Sequence, residues 1–149
     1  MMTIKDLTKE DKEIFIELCL EFYKTPAALH QIPREFISNT ADEAIKGNEF
    51  LRCLMLRKDK AVVGYLLLSF TYSNEVGGDV LLLEEIYIRP EFQGQGIGKE
   101  VFKFIFETYD DRIKRYRLEV TKENTGATAL YERQGFKELC YKQMILERL

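Results

Sequence analysis

The residues best suited to chemistry lie between Val80 and Phe106. Val80 to Ile88 is an apolar run that holds two adjacent carboxylates, Glu84 and Glu85, and reads as a buried strand. In a regular strand those two side chains point to opposite faces, and a buried carboxylate without a partner is costly or has a raised pKa. Arg89-Pro90 ends the strand, because proline donates nothing to a ladder. Gln93-Gly94-Gln95-Gly96-Ile97-Gly98 follows, with glycine at every other position, and then Lys99. Apolar residues recur helically after it, at Val101, Phe102, Ile105 and Phe106. A strand, a glycine-rich loop and a helix in this order bare successive backbone N–H groups at a helix N-terminus. The partial positive charge there suits a phosphate or pyrophosphate.

Two familiar nucleotide loops are excluded by spacing. A dinucleotide fingerprint needs a third glycine three residues after the second, yet the frame from Gly94 meets Lys99 and the frame from Gly96 meets Val101. A Walker loop needs Ser or Thr after Gly98-Lys99, where Glu100 stands. A plain glycine-rich turn is the bland alternative. The remaining pattern, Gln93-x-x-Gly96-x-Gly98 after an apolar strand, resembles the acyl-CoA pyrophosphate loop of the GNAT N-acetyltransferase superfamily. A second stretch adds to the resemblance. Asn124, Ala127, Tyr131, Gly135 and Phe136 look like the family's N-x-x-A-x-x-x-Y-x-x-x-G-F region.

The resemblance implies acetyl-CoA as co-substrate, no metal, and transfer of the acetyl group to a primary amine of a small molecule or peptide by direct attack in a ternary complex. It implies that Ile86, Tyr87 and Ile88 pair with the pantetheine arm as a pseudo-strand. Backbone N–H groups across Gln93, Gly94, Gln95, Gly96, Ile97, Gly98 and Lys99 would wrap the pyrophosphate. Asn124 would reach the pantetheine or cap its helix. Tyr131 would contact the cofactor and act as general acid, protonating the leaving thiolate; a structural tyrosine packed on the sheet is its plain alternative. Glu84 falls at the acidic position of polyamine-type members, whose I-E-D-F-Y-V resembles Leu83-Glu84-Glu85-Ile86-Tyr87-Ile88. Glu119 falls at the glutamate that ribosomal-protein-type members use as base. Either is equally explained as a structural carboxylate, and ordered water serves as base in many members. A CoA-binding regulatory module without turnover is the rival class, and succinyl-CoA an alternative donor.

The elements that must hold these groups read in order as β-α-α-β-β-β-α-β-α-β-β. That order predicts an α+β fold, a mainly antiparallel mixed sheet with a parallel, splayed central pair and helices on both faces, as in the GNAT fold. Thr8-x-x-Asp11 opens the first helix as a capping box and Thr25-Pro26 stops it. Pro33 starts the second, to Lys46 and Gly47. Phe136–Cys140 and Tyr141–Leu146 are expected as two closing strands. The 149 residues read as a single domain, 1–149. Lys plus Arg number 22 against 25 Asp plus Glu, a net charge of −3 that speaks against nucleic acid as a partner and mildly for a neutral or cationic acceptor. No apolar run approaches membrane-spanning length. Cys19, Cys53 and Cys140 lack metal-ligand spacing and read as buried thiols of a cytoplasmic protein. A homodimer is compatible with all of this. His30, the only histidine, reads as a loop residue of structural or solvent-facing role, while Tyr23, Tyr72 and Tyr87 line the acceptor pocket or fill core and rim.

Overall fold

A computed structural model describes every residue, Met1–Leu149. Strand β1 (Met2–Asp6) leads through a 3-10 turn into α1 (Lys12–Phe22), and α2 (Arg34–Ile45) follows. Strands β2 (Leu51–Lys58), β3 (Ala61–Ser73) and β4 (Gly78–Ile88) come next. Helix α3 (Ile97–Tyr109), β5 (Ile113–Leu118) and α4 (Thr125–Arg133) complete the ordered elements. The sheet order is β1-β2-β3-β4-β5, and only β4 and β5 are parallel. This is the mixed α+β sheet that the element order predicts.

Local chemistry explains several boundaries. The Thr8 backbone N–H donates to the Asp11 carboxylate at 3.2 Å, one half of the expected capping box. Asp11 also accepts from Arg57 at 2.5 Å, which ties the start of α1 to β2. Gly47 ends α2 with φ 86°, a left-handed conformation that favours glycine.

Strand alternation divides the apolar residues between two cores. Leu54, Leu56, Leu66 and Leu68 face α3, against Val101, Phe102 and Ile105. Cys53, Met55, Tyr65 and Leu67 face α1 and α2, against Phe15, Leu18 and Ile37. Helix α4 buries no residue fully; Leu130, Tyr131 and the following Phe136 pack on the α3 core.

Two expectations fail. Residues 136–149 form no strand, and beyond the Phe136 N–H no residue of this tail joins a backbone hydrogen bond. A strand exists only by pairing, and the tail has no paired neighbour. Cys140 is exposed rather than buried, because it lies on this tail; Cys19 and Cys53 are buried as expected.

Candidate active site

Strands β4 and β5 pair from Asp79/Ile113 to Leu83/Leu118 and then part. At the same point β4 carries a bulge against β3. Leu68 pairs with Leu83 and Leu67 with Glu85, so Glu84 is the extra residue. The bulge reverses the parity of the strand. Leu81 and Leu83 face α3 before it, and Ile86 and Ile88 do so after it. Glu85 therefore turns to the α1/α2 face along with Tyr87 and Leu67. Glu84 accepts from the Ser69 hydroxyl at 2.9 Å, and Ser69 lies on that same face by alternation with Tyr65 and Leu67. The opposite-face expectation for the two carboxylates is thus corrected: the extra residue brings both to one face.

Glu85 lines a small cavity, about 50 Å³, together with Phe15, Cys19, Tyr23, Ile32 and Thr40. Tyr65 donates to one carboxylate oxygen at 2.7 Å and Tyr23 donates to the other. Burial holds the Glu85 carboxyl above the usual carboxylate range, against the pull of the two phenols, and the Glu84 charge adds to the rise. Glu84 and Glu119 are both exposed; Glu119 stands just beyond the last β5 residue paired to β4. Glu85, Tyr23 and Tyr65 thus form the most developed polar cluster at the splay. The sequence singled out Glu84 in its place.

Beyond the bulge the backbone of β4 is half free. The Arg89 N–H bonds the Val63 carbonyl at 2.8 Å, so antiparallel alternation turns the Tyr87 backbone toward β3. Gly64 fits that geometry, since a Cβ there would stand 1.9 Å from the Tyr87 carbonyl oxygen. Ile86 and Ile88 direct their N–H and C=O groups the other way, into the splay. Gln93 donates its side-chain amide to the Ile88 carbonyl at 2.9 Å. Of the expected pseudo-strand, Ile86 and Ile88 present backbone to the gap and Tyr87 does not. The Tyr87 hydroxyl instead donates to Glu21, which also accepts from Arg89 at 3.0 Å. Burial, aided by Glu21, pushes the Tyr87 phenol up to about 12.

The loop before α3 has the geometry of an anion cradle. No backbone or side-chain acceptor takes the N–H groups of Gly94, Gln95, Gly96, Ile97, Gly98 or Lys99; the first amide of the helix with a partner is that of Glu100. Gly94 and Gly96 have φ of 75° and 80°, with open space where a Cβ would be. Gly98 serves packing instead, since a Cβ would come 2.8 Å from the Leu130 methyl of α4. Lys58 reaches the loop by donating to the Gln95 side chain at 2.7 Å.

Tyr131 lies on the α3 side of the sheet. Its ring meets Phe102 edge-on at 5.8 Å and Phe136 at 6.3 Å. Burial pushes its phenol above the usual tyrosine range, and no protein group hydrogen-bonds the hydroxyl. Asn124 caps α4 by accepting the Ala127 N–H at 3.2 Å. His30 is exposed, with Nδ1 2.9 Å from the neighbouring Gln31 carbonyl oxygen. A larger cleft, about 420 Å³, opens elsewhere between the end of α2, β2 and the C-terminus of α3. Its Arg52 is engaged by Asp6 and Tyr109, and neither the bulge nor the glycine loop lines it.

A parallel pair that opens beside a helix-start amide cradle defines an acyl-CoA-type transferase scaffold. The chain belongs to the acetyltransferase (GNAT) family, whose model matches residues 12–136. Thialysine N-epsilon-acetyltransferase from Sus scrofa is 35% identical over 101 residues, covering 62% of this chain. The match spans 59% of that enzyme's length, little more than half. A crystal structure of a possible acetyltransferase from Clostridium difficile 630 shares the fold with TM-score 0.85 at 19% identity, covering 100% of this chain and 99% of that one. The fold is shared as well by AAC(6')-Iy, solved with a CoA-containing bisubstrate analogue, with TM-score 0.79 and 19% identity over 100% of this chain and 99% of that one. No helix of the chain is long and apolar enough to cross a membrane.

Proposed function

We propose that this chain is an acetyl-CoA-dependent N-acetyltransferase acting on a primary amine at the end of a short aliphatic chain, with a cationic small molecule as the acceptor class. The coincidence at one point of the β4 bulge, the end of β4–β5 pairing and the unsatisfied amide loop carries this reading. The amides of Gly94 to Lys99 hold the pyrophosphate, and the backbone of Ile86 together with the Ile88 N–H binds the pantetheine arm in the gap, the Ile88 carbonyl being held by Gln93. The thioester then lies between the two faces of the sheet. Glu85 waits on the α1/α2 face and Tyr131 on the α3 face.

Glu85, with its two tyrosine donors, orients the incoming ammonium and takes its proton directly or through water. The raised pKa brings the carboxyl closer to neutrality, as a base requires. The freed amine attacks the thioester carbonyl, a C–N bond forms, and the C–S bond breaks. Tyr131 gives its proton to the departing thiolate; its elevated pKa keeps the phenol proton in place until the thiolate departs. The surplus proton left on the new amide nitrogen passes to solvent, from which the phenol is restored. Buried Cys19 and Cys53 fit a reducing, cytoplasmic setting. The test is thiol release from acetyl-CoA with thialysine, lysine, polyamines, aminoglycosides and peptide N-termini as acceptors. Turnover with an aliphatic amine is the expected result. Binding of acetyl-CoA without turnover on any amine would make the chain a CoA-binding module instead.

A further inference from the structure

The amides of Gly94 to Lys99 are free to meet an anion, but a pyrophosphate diester carries a negative charge on each phosphorus, and the loop itself does little to balance them. Three side chains between Arg89 and Lys99 are charged. Arg89 is already engaged by Glu21 at 3.0 Å. Glu91 and Lys99, both exposed, offset each other. The stretch therefore has no positive charge to spare.

Tertiary structure brings one from another strand. Lys58, the last residue of β2, donates its ammonium to the Gln95 side-chain oxygen at 2.7 Å, across 37 residues of sequence. The two antiparallel ladders account for the meeting. Lys58 pairs with Ala61 at the β2–β3 turn, and Ile88, the end of β4, pairs with Gly64 a few residues along β3. The turn and the glycine loop thus share one end of the sheet. Gln95 stands between Gly94 and Gly96, the two loop glycines of positive φ. Its own amide donates to the Glu91 carbonyl at 3.3 Å, which ties the side chain back to the loop. Lys58 is half-buried, and its ammonium has this neutral amide oxygen as its side-chain partner, with no carboxylate paired to it. A bond between an ammonium and a phosphate oxygen is stronger than one to a neutral amide, so an arriving phosphate displaces Gln95 at a gain.

We propose that Lys58 is a phosphate-binding residue of the acetyl-CoA site, its ammonium passing from Gln95 to the pyrophosphate held by the Gly94–Lys99 amides. The inference rests on the reading of that loop as the cofactor site. It gives β2, which lies outside the loop and its motif, a share in cofactor affinity. Lys58 touches no reacting atom; it sets how tightly acetyl-CoA is held.

Calorimetry on the full chain tests it with acetyl-CoA and with dephospho-CoA, which keeps the pyrophosphate and lacks the 3′-phosphate. Lys58→Met keeps most of the stem and removes the charge, and Lys58→Arg keeps the charge. The Met variant should melt like the wild type and bind acetyl-CoA at least about fivefold more weakly. The loss should persist with dephospho-CoA, shrink as salt rises, and be restored largely by Lys58→Arg. Lys58→Gln, also neutral, gives the same reading should the Met variant not fold. Wild-type affinity in the neutral variants would overturn the proposal. So would a loss that vanishes with dephospho-CoA, that is indifferent to salt, or that Lys58→Arg fails to restore, since a packing role for Lys58 predicts the last two. Gly96→Val separates this inference from the one beneath it. If Gly96→Val weakens binding and Lys58→Met does not, only the role of Lys58 falls; if the wild type binds no acetyl-CoA, both fall.

Discussion

Tyr131 and Glu85 oppose each other across the sheet, and each is separable from the fold by one substitution. Tyr131→Phe keeps the ring against Phe102 and removes a hydroxyl that has no protein partner. Its melting temperature should therefore match the wild type within error. General acid catalysis contributes ~10²–10⁴-fold, so kcat should fall by at least about tenfold while acetyl-CoA affinity changes little. Unchanged turnover would remove Tyr131 from the chemistry and leave the cofactor site untouched. Glu85 behaves differently because its carboxyl is harder to ionise in the folded chain than in the unfolded one. Its contribution to stability is full below the ordinary value of 4.5 and is lost as pH rises through the raised folded value. Glu85→Gln keeps the shape and removes that loss. The variant should melt at or above the wild type at neutral pH, converge with it near pH 4, and lose kcat/KM for the amine. A variant that melts well below the wild type at pH 7 would show that the charged form is the one Tyr23 and Tyr65 stabilise.

At the scale of the element, the glycines divide by task. Gly96 has φ 80° and nothing within 4 Å of a built Cβ, so its requirement is conformational and local to the amide loop. Gly96→Val should fold, yet bind acetyl-CoA more than tenfold more weakly, about 1.4 kcal/mol, by calorimetry. Wild-type affinity in that variant would exclude the loop as the pyrophosphate site. Gly64 is different, because its Cβ would strike the Tyr87 carbonyl in the centre of the sheet. Gly64→Ala must spread β3 from β4 beside the splay, a cost of about 1–3 kcal/mol for overpacking. A clear drop in melting temperature is the expected result.

For the molecule as a whole, charge and shape bear on the acceptor. Net charge is −3, and Glu84 and Glu85 share the α1/α2 face. A cationic amine is drawn to such a surface, and salt screens that attraction over about 10 Å at 0.1 M. The kcat/KM for the best amine should accordingly fall as ionic strength rises. A rise with salt, or an anionic best substrate, would contradict the cationic-acceptor reading. The loop between β5 and α4 also touches the α1–α2 connection, where the Thr121 hydroxyl donates to the Pro26 carbonyl at 3.1 Å. The connection between α1 and α2 is in this way linked to the segment that leads into α4, on which Tyr131 lies.

Much of the scaffold is written locally. Gly94 and Gly96 specify positive φ, Pro90 ends the strand, Asn124 caps α4, and alternation in β2 and β3 sorts leucines to two faces; each acts within a few residues of its own position, so the sequence alone determines it. The strand–loop–helix unit and the Tyr131 region were readable for that reason. The choice between Glu84 and Glu85 was not. It depends on one extra residue in the β4 ladder, and a bulge is a property of pairing with β3. The switch from Leu81 and Leu83 to Ile86 and Ile88 on one face carried that signal, but Val80 and Leu82 are apolar too and hide the change of parity. The tail shows the same limit. Its residues favour an extended chain, but an extended chain becomes a strand only when another backbone lies beside it, and tertiary structure leaves residues 137–149 without one.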